Sequence, residues 1–313
     1  KSLDFVQIKS QHKDFGTAKT IIEGTEIDFA STRVEKYPHS GCLPVVTKTG
    51  CSIKDDLIRR DFTINAIAAR ILPSLEYEII DIFSGAEDIK KGILKVLHKN
   101  SYIDDPTRIL RGLDFKLRFN FDFSEQDKIL IENYLKSPNR ECLSKDRVIL
   151  TLKKLFNSKE RANRAFEEFR EKKYYKILFD NFDLNAYDIN KSVEIFKPQN
   201  ISETYIKYIF EQEKDCNKLN SRLEIYKYFK NLSDTDICVY YAVTHDENAI
   251  LYQNTLKNIE LKISGSDLIN LGFKQGKIIG KILDKTLEAK LAKNSSIKSF
   301  LDEINYVKKT FIP

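Results

Sequence analysis

The stretch Asp55-Asp56-Leu57-Ile58-Arg59-Arg60-Asp61-Phe62-Thr63-Ile64-Asn65-Ala66 sets two adjacent arginines before an aspartate, with an asparagine four residues further on. Paired guanidinium forks suit a polyphosphate, a carboxylate accepts from a sugar hydroxyl, and a carboxamide adds a second polar contact. These are the groups a nucleoside triphosphate site needs. A solvated helix with Arg–Asp pairs at i, i+3 or i+4 spacing would use the same letters. The flanking sequence has to decide between the two.

Immediately upstream, Ser52-Ile53-Lys54-Asp55 has the form of a helix capping box with Asp in place of Glu or Gln, so the segment after it is expected to be helical. Earlier still, Thr20–Ile22 and Glu26–Ala30 flank the pair Gly24–Thr25 and predict a hairpin with Asp28 on its second strand. Tyr37 to Gly50 reads as a loop. Downstream, Leu75–Ile82 and Ile93–Leu97 read as strands around a helical turn at Ala86–Lys91. From Pro106 the spacing becomes helical, with Ile109, Leu113 and Leu117, then Ile129, Ile131 and Leu135, then Val148, Leu152 and Leu155. Further helices are expected over 160–171, 201–214, 217–231, 250–262 and 278–292. The fold class is α+β: a small β-sheet head over 1–104, an all-α neck over 105–160, and a helical body and tail over 161–313.

A second informative segment, Asp104-Asp105-Pro106-Thr107-Arg108-Ile109-Leu110-Arg111, opens the neck. Asp-Pro at a helix start is ordinary capping. That leaves Asp105 and Arg108 one turn apart and able to face the same way. Cytosine and adenine both present an amino donor beside a ring-nitrogen acceptor, so one carboxylate and one guanidinium can read either base. Uracil and guanine reverse that order and would leave buried groups unpaired, which rejects them strongly.

The 313 residues carry a net charge of +6, from 52 basic and 46 acidic side chains, with no basic tail and no apolar run long enough to span a membrane. Five scattered cysteines without a C-x-x-C predict neither a disulfide framework nor a zinc ribbon, and fit a reducing cytosol. The four histidines form no H-x-x-x-H pair, so any metal is expected on carboxylates. A chain that starts at Lys1 and contains no methionine reads as lacking its N-terminus.

These segments resemble, in order, the class II tRNA nucleotidyltransferases, the CCA-adding enzymes and bacterial poly(A) polymerases of the DNA polymerase beta-like superfamily. Phe15-Gly-Thr-Ala-Lys19 and Glu26-Ile-Asp-Phe-Ala-Ser-Thr-Arg33 resemble the head strands of that family, and Arg59 to Ala66 its signature. Asp81-Ile-Phe-Ser-Gly85 resembles its flexible-loop motif, Asp104 to Arg108 its base-reading motif, and Lys145-Asp-Arg-Val148 a variant of its Glu-Arg motif. Ile263 to Gly280 resembles its tail.

The resemblance implies a polymerase beta-like nucleotidyltransferase head that transfers nucleotides from CTP and ATP to the 3′ end of tRNA, without a template, in a two-metal reaction using Mg²⁺. It implies Arg59 and Arg60 near the triphosphate, Asp61 and Asn65 near the sugar, and Asp105, Arg108 and Arg111 around the base. Asp4 and Asp28 would be the catalytic and metal-binding carboxylates, with Ser2 standing where the family has its first aspartate. An A-adding, CC-adding or poly(A)-adding enzyme remains open at this stage, as does a catalytically silent tRNA-binding protein. Partners are tRNA and the two nucleotides, with no membrane.

Overall fold

The computed structural model describes residues 6–12, 16–180, 189–211 and 219–312. The chain divides into two compact units, 1–184 and 185–313.

The first unit opens with an antiparallel sheet of β1 (Val6–His12), β2 (Thr17–Ile22) and β3 (Thr25–Ala30), ordered β1-β2-β3. Ile22 pairs with Thr25, so the turn residues are Glu23 and Gly24, both at positive φ. The expected hairpin is present with its turn one residue earlier, because a two-residue loop of this kind needs φ > 0 at both central positions. A second hairpin joins β4 (Arg33–Lys36) to β5 (Val45–Thr49). The Ser52 side chain caps α1 (Ile53–Leu57) by accepting from the Asp55 amide. The Asp55 carboxylate takes the Ser52 hydroxyl, so only half of the capping box forms.

Next come β6 (Ala68–Ile71) and β7 (Tyr77–Ile80), an antiparallel pair, then α2 (Gly85–Lys91) and the short β8 (Ile93–Leu94). The strand expected at Leu75–Ile82 is thus β7, and its partner β6 carried no clear alternation. Then follow α3 (Ser101–Asp104), α4 (Thr107–Phe119), β9 (Asp122–Phe123), α5 (Glu125–Lys136), α6 (Lys145–Leu155) and α7 (Lys159–Glu171). β9 pairs in parallel with β8, tying the segment after α4 to the segment after α2.

This seam is the core that positions the site. Phe62 is fully buried, bridges Val96 and meets Phe115 edge to face at 5.9 Å, while Ile109, Leu110 and Leu113 of α4 are fully buried. Gly112 allows the approach, since a Cβ there would lie 2.4 Å from the Phe123 ring and 3.0 Å from Phe62. Overpacking of this kind costs about 1–3 kcal/mol, more than the roughly 1 kcal/mol that Ala gains over Gly in a helix. Gly112→Ala should therefore lower the thermal midpoint by a few degrees; a raised midpoint would contradict this packing.

One expectation is corrected here. Cys42 and Cys142 form a disulfide across 100 residues of sequence, and Cys51 and Cys238 are free. Spacing along the chain held no sign of this pair, because it is the return of the α5–α6 connection onto the β4–β5 loop that brings the two Cα atoms to 4.5 Å.

The second unit is helical. It comprises α8 (Ile189–Phe196), α9 (Ile201–Phe210), α10 (Arg222–Phe229), α11 (Asp234–Thr244) and α12 (Glu247–Leu251), which continues as a π-helical turn over Tyr252–Leu256. Then follow α13 (Gly265–Asn270), α14 (Lys277–Leu291) and α15 (Phe300–Phe311) around Ile263, Leu268, Ile282, Ile304 and Val307. The helix expected over 250–262 ends by Leu256, and α8, α11, α13 and α15 were not anticipated. Among the described residues no helix is long and apolar enough to cross a membrane.

Candidate functional site

The short helix α1 delivers the two arginines into a buried acidic clamp. Asp56 Oδ1 accepts from the Arg33 amide at 3.1 Å and from Arg59 Nε and Nη2 at 3.1 and 2.7 Å. Glu35 takes Arg33 at 2.6 Å and Arg59 at 3.3 Å. Burial alone would raise the Asp56 carboxyl, but the Arg59 and Arg33 hydrogen bonds and the nearby charges outweigh it and hold it below the usual range. Arg59 is thereby neutralised by two carboxylates. Arg60 is different: its side chain is 44% exposed, 3.4 Å from Asp56, and donates to the Asn65 carbonyl at 3.3 Å. Of the two arginines, Arg60 keeps the freer fork.

Asp61 is 5% exposed, and its Oδ1 accepts from the Phe62 amide and from Asn65 Nδ2, each at 2.9 Å. The 3-10 turn Thr63–Asn65 brings Asn65 back to it. Oδ2 lies 2.5 Å from Arg111 Nη2, yet off the line of a hydrogen bond. The contact is an ion pair, and this buried oxygen keeps an unused acceptor direction.

Arg111 also lines a cavity of about 330 Å³ with Asp105, Thr107, Asp114, Arg118 and Arg147. Asp105 Oδ1 accepts from the Thr107 amide and hydroxyl, at 3.1 and 2.6 Å, so it does hold the start of α4. Its Oδ2 faces Arg147 Nη2 at 3.0 Å. Arg108 points elsewhere: it is 3% exposed, donates to the Arg59 carbonyl at 2.9 Å and the Tyr37 hydroxyl at 3.3 Å, and bonds the Ser101 hydroxyl. One turn of helix separates Asp105 from Arg108 in sequence, but the guanidinium beside the carboxylate in this structure is that of Arg147. The Lys145-to-Val148 resemblance gave Arg147 neither a role nor a place beside Asp105. Sequence reasoning also gave no role to Asp56, Glu35, Tyr37 or Ser101: the pairing of Asp56 with Arg59 and Arg60 is local, but its bond to the Arg33 amide, Glu35 to Arg59 and Tyr37 to Arg108 join residues more than 20 apart.

A larger cavity of about 750 Å³ opens among α5, α7 and the 3-10 turn Tyr174–Ile177, away from these residues. Lys116 there pairs with Asp122 and Glu168, and Lys128 with Asp122 and Glu125, which makes it a solvated ion-pair network. Its size exceeds that of the neck cavity, but its chemistry does not converge on a reacting group.

Asp28 lies on β3 with its side chain 74% exposed and Lys19 at 3.9 Å. Asp4 lies outside the described residues. A hard carboxylate oxygen suits a divalent cation, but among the described residues no group of three or more His, Cys, Asp or Glu could hold a metal.

The poly A polymerase head domain family matches residues 3–95. The A-adding tRNA nucleotidyltransferase of Halalkalibacterium halodurans is 41% identical over 116 residues, 37% of this chain and 27% of that protein. The chain thus spans about a quarter of the length of that relative. The apo form II structure of a CCA-adding enzyme superposes with a TM-score of 0.74 at 26% identity, covering 97% of this chain and 81% of the other. The Thermotoga maritima CCA-adding enzyme complexed with tRNA-CCA gives 0.70 at 25% identity, covering 96% and 82%. A head of one known kind, over residues 3–95, is thus joined to helices whose fold matches that of CCA-adding enzymes over almost the whole chain.

Proposed function

We propose that the chain is a tRNA nucleotidyltransferase that adds C and A residues from CTP and ATP to the tRNA 3′ end and releases diphosphate. The observation that carries this is the Asp61–Arg111 ion pair. It links a buried carboxylate having a spare acceptor, suited to a ribose hydroxyl, to a cavity where Asp105 offers the acceptor that an amino-bearing base requires. Arg60 supplies the exposed guanidinium for the triphosphate, and Asp56 with Glu35 fixes Arg59 beneath it.

In this reading residues 1–104 hold the triphosphate, 105–160 read the base, and 161–313 bind tRNA, in the cytoplasm. Reading through Arg108 requires its guanidinium to leave Tyr37, Ser101 and the Arg59 carbonyl. Asp4 and Asp28 would hold Mg²⁺, which when bound neutralises charge on the attacking and leaving oxygens. Incubation with tRNA lacking its 3′ end and labelled CTP or ATP should give incorporation; none from either nucleotide rejects the proposal.

Addition of A alone is the second reading, favoured by the 41% identity to an A-adding enzyme. tRNAs ending at successive positions separate the two. A CCA-adding enzyme extends all of them, whereas an A-adding one extends only the tRNA that already ends in CC.

A further inference from the structure

We infer that the Cys42–Cys142 disulfide is a redox latch that fixes the base-reading cavity when oxidised and loosens it when reduced. This rests on the role just proposed for Asp105. Cys42 follows Gly41 in the β4–β5 connection, and Cys142 lies in the segment leading to Ser144, the residue that precedes α6. The Gly41 carbonyl accepts from Arg147 Nη1 at 2.8 Å, and Arg147 Nη2 faces Asp105 at 3.0 Å. The Gly41 amide in turn donates to the Asp104 carbonyl at 3.1 Å. One covalent bond therefore anchors the carbonyl that orients Arg147, and Arg147 orients the carboxylate.

Gly41 has φ +73°, and a Cβ there would sit in ordinary contact, 3.5 Å from the Leu143 amide nitrogen. Gly41 therefore packs beside the residue that follows Cys142, and the disulfide joins the two segments that flank the Arg147 acceptor. Cys42 and Cys142 are both partly exposed, within reach of a small dithiol. Burial pushes the Cys238 thiol up to about 12, which keeps it out of exchange.

On reduction the S–S bond breaks, and the two sulfurs take up two electrons and two protons from a dithiol, which closes to its own disulfide. The β4–β5 loop is then tied to the α5–α6 connection only by hydrogen bonds and packing. In a reducing cytosol a disulfide of this kind is transient, the setting in which such bonds act as sensors.

The test uses the whole chain prepared without thiols, then treated with oxidised glutathione or with a dithiol. Alkylation after denaturation should add two fewer labels to the oxidised form than to the reduced one, the two being those of Cys42 and Cys142. Labels on Cys42 and Cys142 after glutathione treatment would overturn the latch. Amide hydrogen exchange at Gly41, whose N–H donates to the Asp104 carbonyl, should speed up by roughly tenfold on reduction; an equal rate would also overturn it.

With tRNA lacking its 3′ end, the ratio of CTP to UTP incorporation should fall by roughly tenfold on reduction. Cys42→Ser, and separately Cys142→Ser, should match the reduced form under both conditions. If both redox forms add nucleotides with one ratio, the transferase reading stands and the latch falls. If neither form adds any nucleotide, the transferase reading falls, and label count and exchange decide the latch alone.

Discussion

Asp105→Ala is expected to reduce the preference for CTP and ATP over UTP and GTP by about a hundredfold and to slow correct addition as well. The carboxylate is 8% exposed and faces a small cavity, so an amino group of the base would meet an acceptor there and a carbonyl would meet repulsion. Its other contacts have to be separated from this effect. Asp105 also accepts from Thr107, and losing a helix-start bond of that kind costs about 1 kcal/mol of stability. Removal of the carboxylate further leaves Arg147 without its 3.0 Å partner. Asp105→Asn keeps an oxygen for the Thr107 amide while placing an amino group toward the cavity. The decisive measurement is kcat/KM for all four nucleotides in wild type, Asp105→Ala and Asp105→Asn, with thermal midpoints beside them. A fallen midpoint with unchanged selectivity would assign Asp105 to structure alone.

Much of this site could be read from the chain because its chemistry is local. Asp61 and Asn65 are four residues apart and meet through one 3-10 turn, so the sequence alone brought them together. Asp105 and Arg108 show where local reasoning stops. Helical spacing allowed them to share a face, but Arg108 finds a backbone carbonyl at Arg59 and a hydroxyl at Tyr37, both on head elements that spacing could not position. Arg147 reaches Asp105 for the opposite reason, a tertiary approach of α6 that has no periodic signature.

The fold divides in the same way. Periodic, one-sided helices such as α4 and α14 were visible. α11 was not, because seven of its residues from Thr235 to Ala242 are buried and it presents no polar face to set a period. The disulfide, and the bonds that bring Glu35 to Arg59 and the Arg33 amide to Asp56, are likewise products of the finished fold, whereas the Asp56–Arg59 pair is local.

Asp61→Asn should lower kcat/KM by about a hundredfold, since one charge-assisted hydrogen bond is worth roughly 1.5–3 kcal/mol and an interaction strengthening in the transition state adds to that. The substitution keeps shape and burial. It can retain the oxygen that accepts from Asn65 and the Phe62 amide, but it turns the oxygen paired with Arg111 into a donor. Two explanations then compete: contact with the sugar, or simple retention of Arg111. Ribose recognition predicts that CTP loses its advantage over 2′- or 3′-deoxy-CTP in the variant, because the missing hydroxyl no longer matters once its acceptor is gone. Retention of Arg111 predicts an unchanged ratio and a loss equal to that of Arg111→Gln. The double variant completes the test. A cycle in which Asp61→Asn adds nothing to Arg111→Gln makes Asp61 a positioning residue, whereas a further loss confined to ribonucleotides places its spare oxygen on the sugar.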